Sequence, residues 1–220
     1  MVQKKRYTTK SFDNPALYNQ SLFETENFKV IPSLGSMVEG WILIIPKRHY
    51  ISLGQLNDNS LYEELSALTI YVAEILKKEY GEYVIFEHGA IEKETIIGCG
   101  VDYAHLHIVP VSLDLISETK NFLNYEFNWT EIGNLEFTNF YYRQHIPYLY
   151  YQTSNRKSYI TTDQNIPSQL FRKVIATHLS IYEKFDWKKH VFINNIQATI
   201  ERLSKYQVKN IDMPSIISLV

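Results

Sequence analysis

Apolar residues along this chain follow two different periods, and the change from one to the other marks out the elements. Phe28 to Ile31 reads as a short strand ended by Pro32-Ser33-Leu34-Gly35, and Trp41-Ile-Leu-Ile-Ile45 is a continuous apolar run stopped by Pro46. Leu61, Leu65, Leu68, Val72, Ile75 and Leu76 then recur at helical spacing. Ser60-x-x-Glu63 has the form of a capping box at the start of that helix, and Lys77, Lys78 and Gly81 suit its end. Tyr83 to Glu87 predicts a third strand and Ala104 to Val111 a fourth, joined by a polar, glycine-containing segment from His88 to Gly100. Strand, strand, helix, strand, strand predicts an α+β fold: an antiparallel sheet with a helix packed on one face.

Beyond Ser112 the pattern turns aromatic. Tyr125 to Trp129, Leu135 to Tyr142 and Tyr148 to Gln152 read as strands, with a hairpin through Asn155-Arg156-Lys157 into Tyr159 to Thr161. Two helices follow. One begins near Pro167-Ser168 and places Phe171, Val174, Ile175, His178 and Tyr182 on one stripe, which makes His178 a core residue; the other carries Phe192, Ile196, Ile200 and Leu203. No repeat or low-complexity linker separates the halves, so the expected organisation is an arm over 1–20, a core over 21–112 and an extension over 113–220 packed on that core.

Composition narrows the function classes. With 220 residues, 45% of them hydrophobic, the chain can bury a sizeable core. Its 22 basic and 24 acidic residues leave a formal charge of −2, so no global field draws it to nucleic acid or an anionic membrane, and an anionic ligand must be held by local groups. A lone cysteine, Cys99, excludes an intramolecular disulfide and fits a reducing compartment. The basic N-terminus is followed by no signal-length apolar stretch, and no segment reaches the roughly 20 apolar residues of a membrane span, so the expected location is cytoplasmic.

The chemistry concentrates in Tyr103-Ala-His-Leu-His-Ile-Val-Pro110. In a strand alternate side chains share a face, so Tyr103, His105 and His107 are expected on one side and Ala104, Leu106 and Ile108 on the other. A neutral imidazole is a competent nucleophile toward phosphorus near pH 7, and a phosphohistidine intermediate splits one hard displacement into two easier ones. Gly98 and Gly100, just upstream, offer backbone N–H groups that can approach a phosphate without side-chain interference. The rival reading is a zinc site in which Cys99 joins the two histidines.

Taken together, these residues resemble the signature of the histidine triad superfamily of nucleotide hydrolases and transferases, His-φ-His-φ-His-φ-φ after a glycine-bearing loop. Ile108-Val109-Pro110 matches the tail of that signature, which makes His107 its third histidine, His105 its middle one and Tyr103 the occupant of its first position. Upstream, Gly40-Trp-Ile-Leu-Ile-Ile-Pro-Lys-Arg-His49 is similar to the family segment Gly-His-φ-Leu-φ-φ-Pro-Lys-x-His. The resemblance covers residues 27–111. Pro167-Ser-Gln-Leu-Phe-Arg-Lys173 and Asp186-Trp187 also resemble segments of longer bacterial members, which makes Gln169 and Arg172 candidates to close over a ligand.

The resemblance implies that His105 is the nucleophile and that His107 and the backbone from Gly98 to Val101 stabilise the developing phosphorane charge. It places Ser33 at the ribose-binding position, Leu34 against the nucleotide, Glu87 near the phosphate-binding amide, and Gly98, Gly100, Val101 and Tyr103 around the phosphates. Tyr103, Ser33 and Glu87 depart from the family's histidine, acid and amide. His107 in place of glutamine favours hydrolysis over the transferase branch. The implied activity is hydrolysis of a nucleotide ester, a dinucleoside polyphosphate anhydride or a phosphoramidate through a nucleotidyl-histidine. The alternatives are a nucleotidyltransferase or phosphorylase of the same fold and a non-catalytic nucleotide sensor. No protein-bound metal or cofactor is implied; any Mg arrives with the nucleotide substrate. Smaller members pair as homodimers, a surface that residues 113–220 could cover here instead.

Overall fold

A computed structural model describes residues 20–92 and 103–206. Residues 1–19 of the expected arm (1–20) and the glycine segment with Gly98, Cys99, Gly100, Val101 and Asp102 lie outside the described residues.

Eight strands form one antiparallel sheet: β1 (Phe23–Glu24), β2 (Phe28–Pro32), β3 (Ile42–Pro46), β4 (Val84–Gly89), β5 (Leu106–Val109), β6 (Thr130–Ile132), β7 (Tyr148–Thr153) and β8 (Ser158–Thr161). Their order across the sheet is β1-β2-β3-β5-β4-β7-β8-β6. The α+β arrangement expected from the sequence is therefore present, and the extension adds β6, β7 and β8 to the same sheet through the pairing of β4 with β7.

Five α-helices accompany the strands among the described residues: α1 (Asn59–Tyr80), α2 (Leu115–Leu123), α3 (Thr138–Arg143), α4 (Leu170–His178) and α5 (Ile193–Leu203). The start of α1 differs from the capping-box expectation. Asp58 is the cap, accepting from the Ser60 amide at 2.9 Å, because its short carboxylate reaches an orphan amide of the first turn. At the other end Gly81 adopts φ +89 and returns its N–H to Lys77 O.

The two faces of the sheet carry separate cores. One, with Phe28, Val30, Ile42, Ile44, Ile85, Leu106 and Ile108, packs against Leu65, Leu68, Val72 and Leu76 of α1. The opposite face, with Trp41, Phe86, Val109, Leu149 and Tyr151, is covered by Leu115 of α2 and by Leu170, Phe171, Val174 and Ile175 of α4. Tyr148, Tyr150 and Tyr151 are buried within these cores, so the tyrosine-rich strand is a packing element.

Four expectations fail in the extension. Tyr125 to Trp129 is irregular, and the strand there begins only at Thr130, where β6 pairs with β8. Leu135 to Tyr142 is helical, a 3-10 turn (Leu135–Phe137) running into α3, because Asn134 caps it with a bond to the Glu136 amide. Residues 115–123, read as no element, form α2, capped by Asp114 through Ile116 N. His178 is exposed at the end of α4, and Tyr182 belongs to a separate 3-10 turn, so the stripe ends a turn earlier than its spacing suggests.

Candidate functional site

The site grows from one row of side chains across the sheet. His107 on β5 lies in register with Leu43 of β3 and Phe86 of β4, and Phe86 pairs in turn with Tyr151 of β7. His88 of β4 shares that face by alternation, and Trp41 and His105, each one residue before its strand, continue the same alternation. The imidazoles of His105 and His107 meet edge to face with centroids 4.7 Å apart. Phe86 stacks on His107 at 4.4 Å, and His88 sits edge-on to Phe86 at 5.7 Å. The structure thus gathers His88, His105 and His107 around Phe86.

Hydrogen bonds dictate which nitrogen of each key imidazole carries its proton. His105 Nδ1 lies 2.7 Å from the Tyr103 carbonyl oxygen. A carbonyl only accepts, so Nδ1 holds the hydrogen and Nε2 keeps its lone pair. His107 is the converse. Trp41 Nε1 donates to His107 Nδ1 at 3.0 Å, and indole N–H can only donate, so the proton of neutral His107 resides on Nε2. The two rings therefore offer different chemistry: His105 a nucleophilic nitrogen and His107 an N–H donor.

Electrostatics keep both rings neutral. Burial depresses the His105 imidazole, helped by the Arg172 charge, while the bond to Tyr103 O works against it; the net shift is downward. Burial also drives His107 well below its ordinary range, reinforced by His105, Arg172 and His88. His88 falls to about 3, mainly through burial and then through His105 and Arg172. His88 and His107 are buried, whereas His105 is half-buried.

The other expected site residues take varied positions. Tyr103 precedes the strand and its hydroxyl donates to Pro46 O at 2.7 Å, with Lys47 O at 3.2 Å, while its ring meets His49 edge-on. Its backbone carbonyl, not its phenol, touches His105. Glu87 faces the α1 side of the sheet, where its carboxylate accepts from Leu53 N at 2.6 Å and Tyr148 Oη at 2.7 Å. Counting back from His105 placed Glu87 near the phosphates, but strand alternation turns it away and presents His88 in its stead. Ser33 is buried at the end of β2, its N–H bonded to Trp41 O and its carbonyl accepting from Ser36 Oγ, with Leu34 half-buried beside it. Gly98, Gly100 and Val101 lie outside the described residues.

Trp41, His88 and Phe171, to which the sequence assigned no site role, complete the site together with Arg172 and Gln169, which it offered as candidates to close over a ligand. Trp41 was visible as the head of an apolar run and within the Gly40 to His49 segment but with no role of its own, and His88 only as a loop residue after β4, yet β4 continues to Gly89. Phe171 closes the face, edge-on to Phe86 at 5.1 Å and tilted to His88 at 5.7 Å, with Trp129 stacked behind it at 6.2 Å. Arg172 is 1% exposed and lies over the Trp41 ring at 4.7 Å. Gln169 opens α4 with φ 57, its Oε1 buried and without a hydrogen-bond partner among the described residues. Among the described residues no group of three His, Cys, Asp or Glu side chains converges to hold a metal ion. No described helix is long and apolar enough to cross a membrane.

No protein-family model matches this chain, and no curated protein matches it. Several solved structures are similar to it, among them the two that follow. One, a hypothetical histidine triad nucleotide-binding protein from Sulfolobus tokodaii strain 7, is 22% identical over 43% of this chain and 61% of its own, with a TM-score of 0.34. The other, a Hit-like protein involved in cell-cycle regulation from Bartonella henselae with an unknown ligand, is 21% identical over 45% of this chain and 78% of its own, with a TM-score of 0.33. The first carries the histidine triad name and the second is named Hit-like. The chain spans less than two thirds of the length of the first, and more than half of the chain lies outside each match.

Proposed function

We propose that this chain binds a nucleotide at the histidine face and hydrolyses it at the α-phosphorus through a nucleotidyl intermediate on His105. The observation that carries this reading is the 2.7 Å bond from His105 Nδ1 to the Tyr103 carbonyl, which aims an unprotonated Nε2 away from the backbone. With the ring held neutral by burial, Nε2 attacks phosphorus, an N–P bond forms, and the bond to the leaving group breaks with its electron pair. The leaving group is the alcohol, phosphate or amine of an ester, anhydride or phosphoramidate, and it takes a proton from solvent. The adduct imidazolium keeps its Nδ1–H on the Tyr103 carbonyl, whose dipole offsets the new positive charge.

His107 contributes an Nε2–H that cannot migrate to Nδ1 while Trp41 donates there. A donor of fixed direction beside the reacting phosphorus stabilises the added negative charge without reorganising during the reaction. Water then cleaves the N–P bond, releasing the nucleoside monophosphate and restoring neutral His105. Mg, where required, enters with a polyphosphate substrate.

The test is a trapping experiment with nucleotide substrates labelled at the α-phosphate. Label should appear on His105 as an acid-labile, base-stable adduct, and His105→Ala should lower turnover by at least about a thousandfold with the fold intact. Undiminished hydrolysis by His105→Ala would sink the assignment.

A further inference from the structure

We infer that Arg172, on the C-terminal half of the chain, is a positioning residue for the histidine face: by clamping the indole of Trp41 it confines the proton of His107 to Nε2. The consequence for turnover rests on the function proposed above; the consequence for the tautomer does not.

A guanidinium that is 1% exposed is expensive to bury unless its donors are satisfied and its place is specific. Arg172 Nη2 donates to Gly35 O at 2.7 Å and Nε donates to Phe185 O at 3.0 Å, which ties α4 to the β2–β3 loop and to the segment after its own helix. Those two bonds fix the plane of the guanidinium, and that plane lies 4.7 Å from the centre of the Trp41 ring. Gly35 makes the approach feasible, since a Cβ there would stand 2.5 Å from Arg172 Nη2.

Trp41 is held from its other sides by edge contacts with Phe86 at 6.2 Å and His107 at 5.8 Å. An indole held this way keeps Nε1–H aimed at His107 Nδ1, and the imidazole then has one place for its proton. The same cation opposes charging of the imidazoles that face it, His88 on β4, His107 on β5 and His105 just before β5. Lysine cannot substitute, because a single ammonium on a flexible stem cannot both bridge two distant carbonyls and stack on a ring. The extension is therefore part of the site's machinery as well as its cover.

The experiment is long-range 1H–15N correlation of the histidine rings in the full chain labelled at histidine, with kcat and KM measured in parallel against pH. In the wild type His107 should show a single Nε2–H form from pH 6 to 8; a tautomer mixture there overturns the proposal without any variant. In Arg172→Lys the Trp41 indole resonance should move and the His107 nitrogens should average, with kcat down about tenfold or more and KM little changed. In Arg172→Met the acidic limb of kcat should also move to higher pH, because the cation facing His88, His105 and His107 is gone, while the lysine variant keeps its limb. A folded Arg172→Lys or Arg172→Met protein with the wild-type His107 tautomer overturns the inference. Failure of the His105 trapping experiment would remove the proposed activity and leave the tautomer result standing.

Discussion

His105 and Tyr103 are joined through the backbone: the imidazole Nδ1 donates to the Tyr103 carbonyl at 2.7 Å, while the Tyr103 phenol turns the other way and donates to Pro46 O. Tyr103 thus orients the His105 imidazole with an atom every amino acid possesses. The side chain does a different job, tying the entry to β5 onto the end of β3.

It follows that Tyr103→Phe should leave kcat close to the wild-type value, since the carbonyl that holds His105 is unchanged. Stability should fall by about 1 kcal/mol for the lost hydroxyl bond. Steady-state kinetics and urea unfolding check the two halves. A loss of turnover comparable with that of His105→Ala would show that the phenol acts in the chemistry.

The pH dependence of turnover follows from the lowered His105 basicity. A depressed value means the ring stays neutral, and Nε2 available, as the solution is acidified past the ordinary imidazole value of 6.5. The acidic limb of kcat/KM should accordingly lie below pH 6.5. A limb above that value contradicts the burial argument.

Glu87 provides a stability test on the far face of the sheet. Burial raises its carboxyl from 4.5 to about 7, against the opposing effects of the Leu53 amide and the Tyr148 hydroxyl. A folded value above the unfolded one means that the contribution is fully present below about pH 4.5 and lost as pH rises through about 7. The loss is about 3 kcal/mol by linkage. Glu87→Gln should remove that slope, so urea unfolding at pH 5 and pH 8 should show the variant gaining on the wild type at the higher pH. Parallel behaviour of the two proteins would refute the assignment.

Gly35→Ala should destabilise the protein by about 1–3 kcal/mol, because the added methyl group would collide with Trp187 and with Arg172 Nη2. Gly81→Ala is the control. Nothing lies within 4 Å of a Cβ there, so its cost is confined to the positive φ of the helix cap. Thermal unfolding of the pair checks the stability difference, and NMR of the same samples should show a loss of His107 tautomer order for Gly35→Ala alone.

Much of the first half was legible from the chain because its signals are local. The run of Leu65, Leu68, Val72 and Leu76 makes an apolar stripe wherever it folds, and the apolar alternation around His105 and His107 commits both to one face of a strand. Aromatic residues after Ser112 were harder to read: Phe137, Tyr141 and Tyr142 favour strands by composition, yet the Asn134 cap and the packing of α3 against the turn at Leu53–Gln55 make the segment helical. Glu87 shows the sensitivity of such reasoning to register, since one residue separates the face of His107 from the face of α1.

By itself the sequence determined the α+β class and the placement of His105 with His107, because period and spacing are properties of the chain alone; the choice of His105 as the nucleophile candidate came from the family resemblance. Only the tertiary structure decided which nitrogens carry protons, that His88 rather than Glu87 joins the face, and that Arg172 reaches Trp41 from the other half of the molecule. Those depend on groups as far apart as Gly35 and Arg172, separated by 137 positions, and no local pattern encodes a hydrogen bond across that interval.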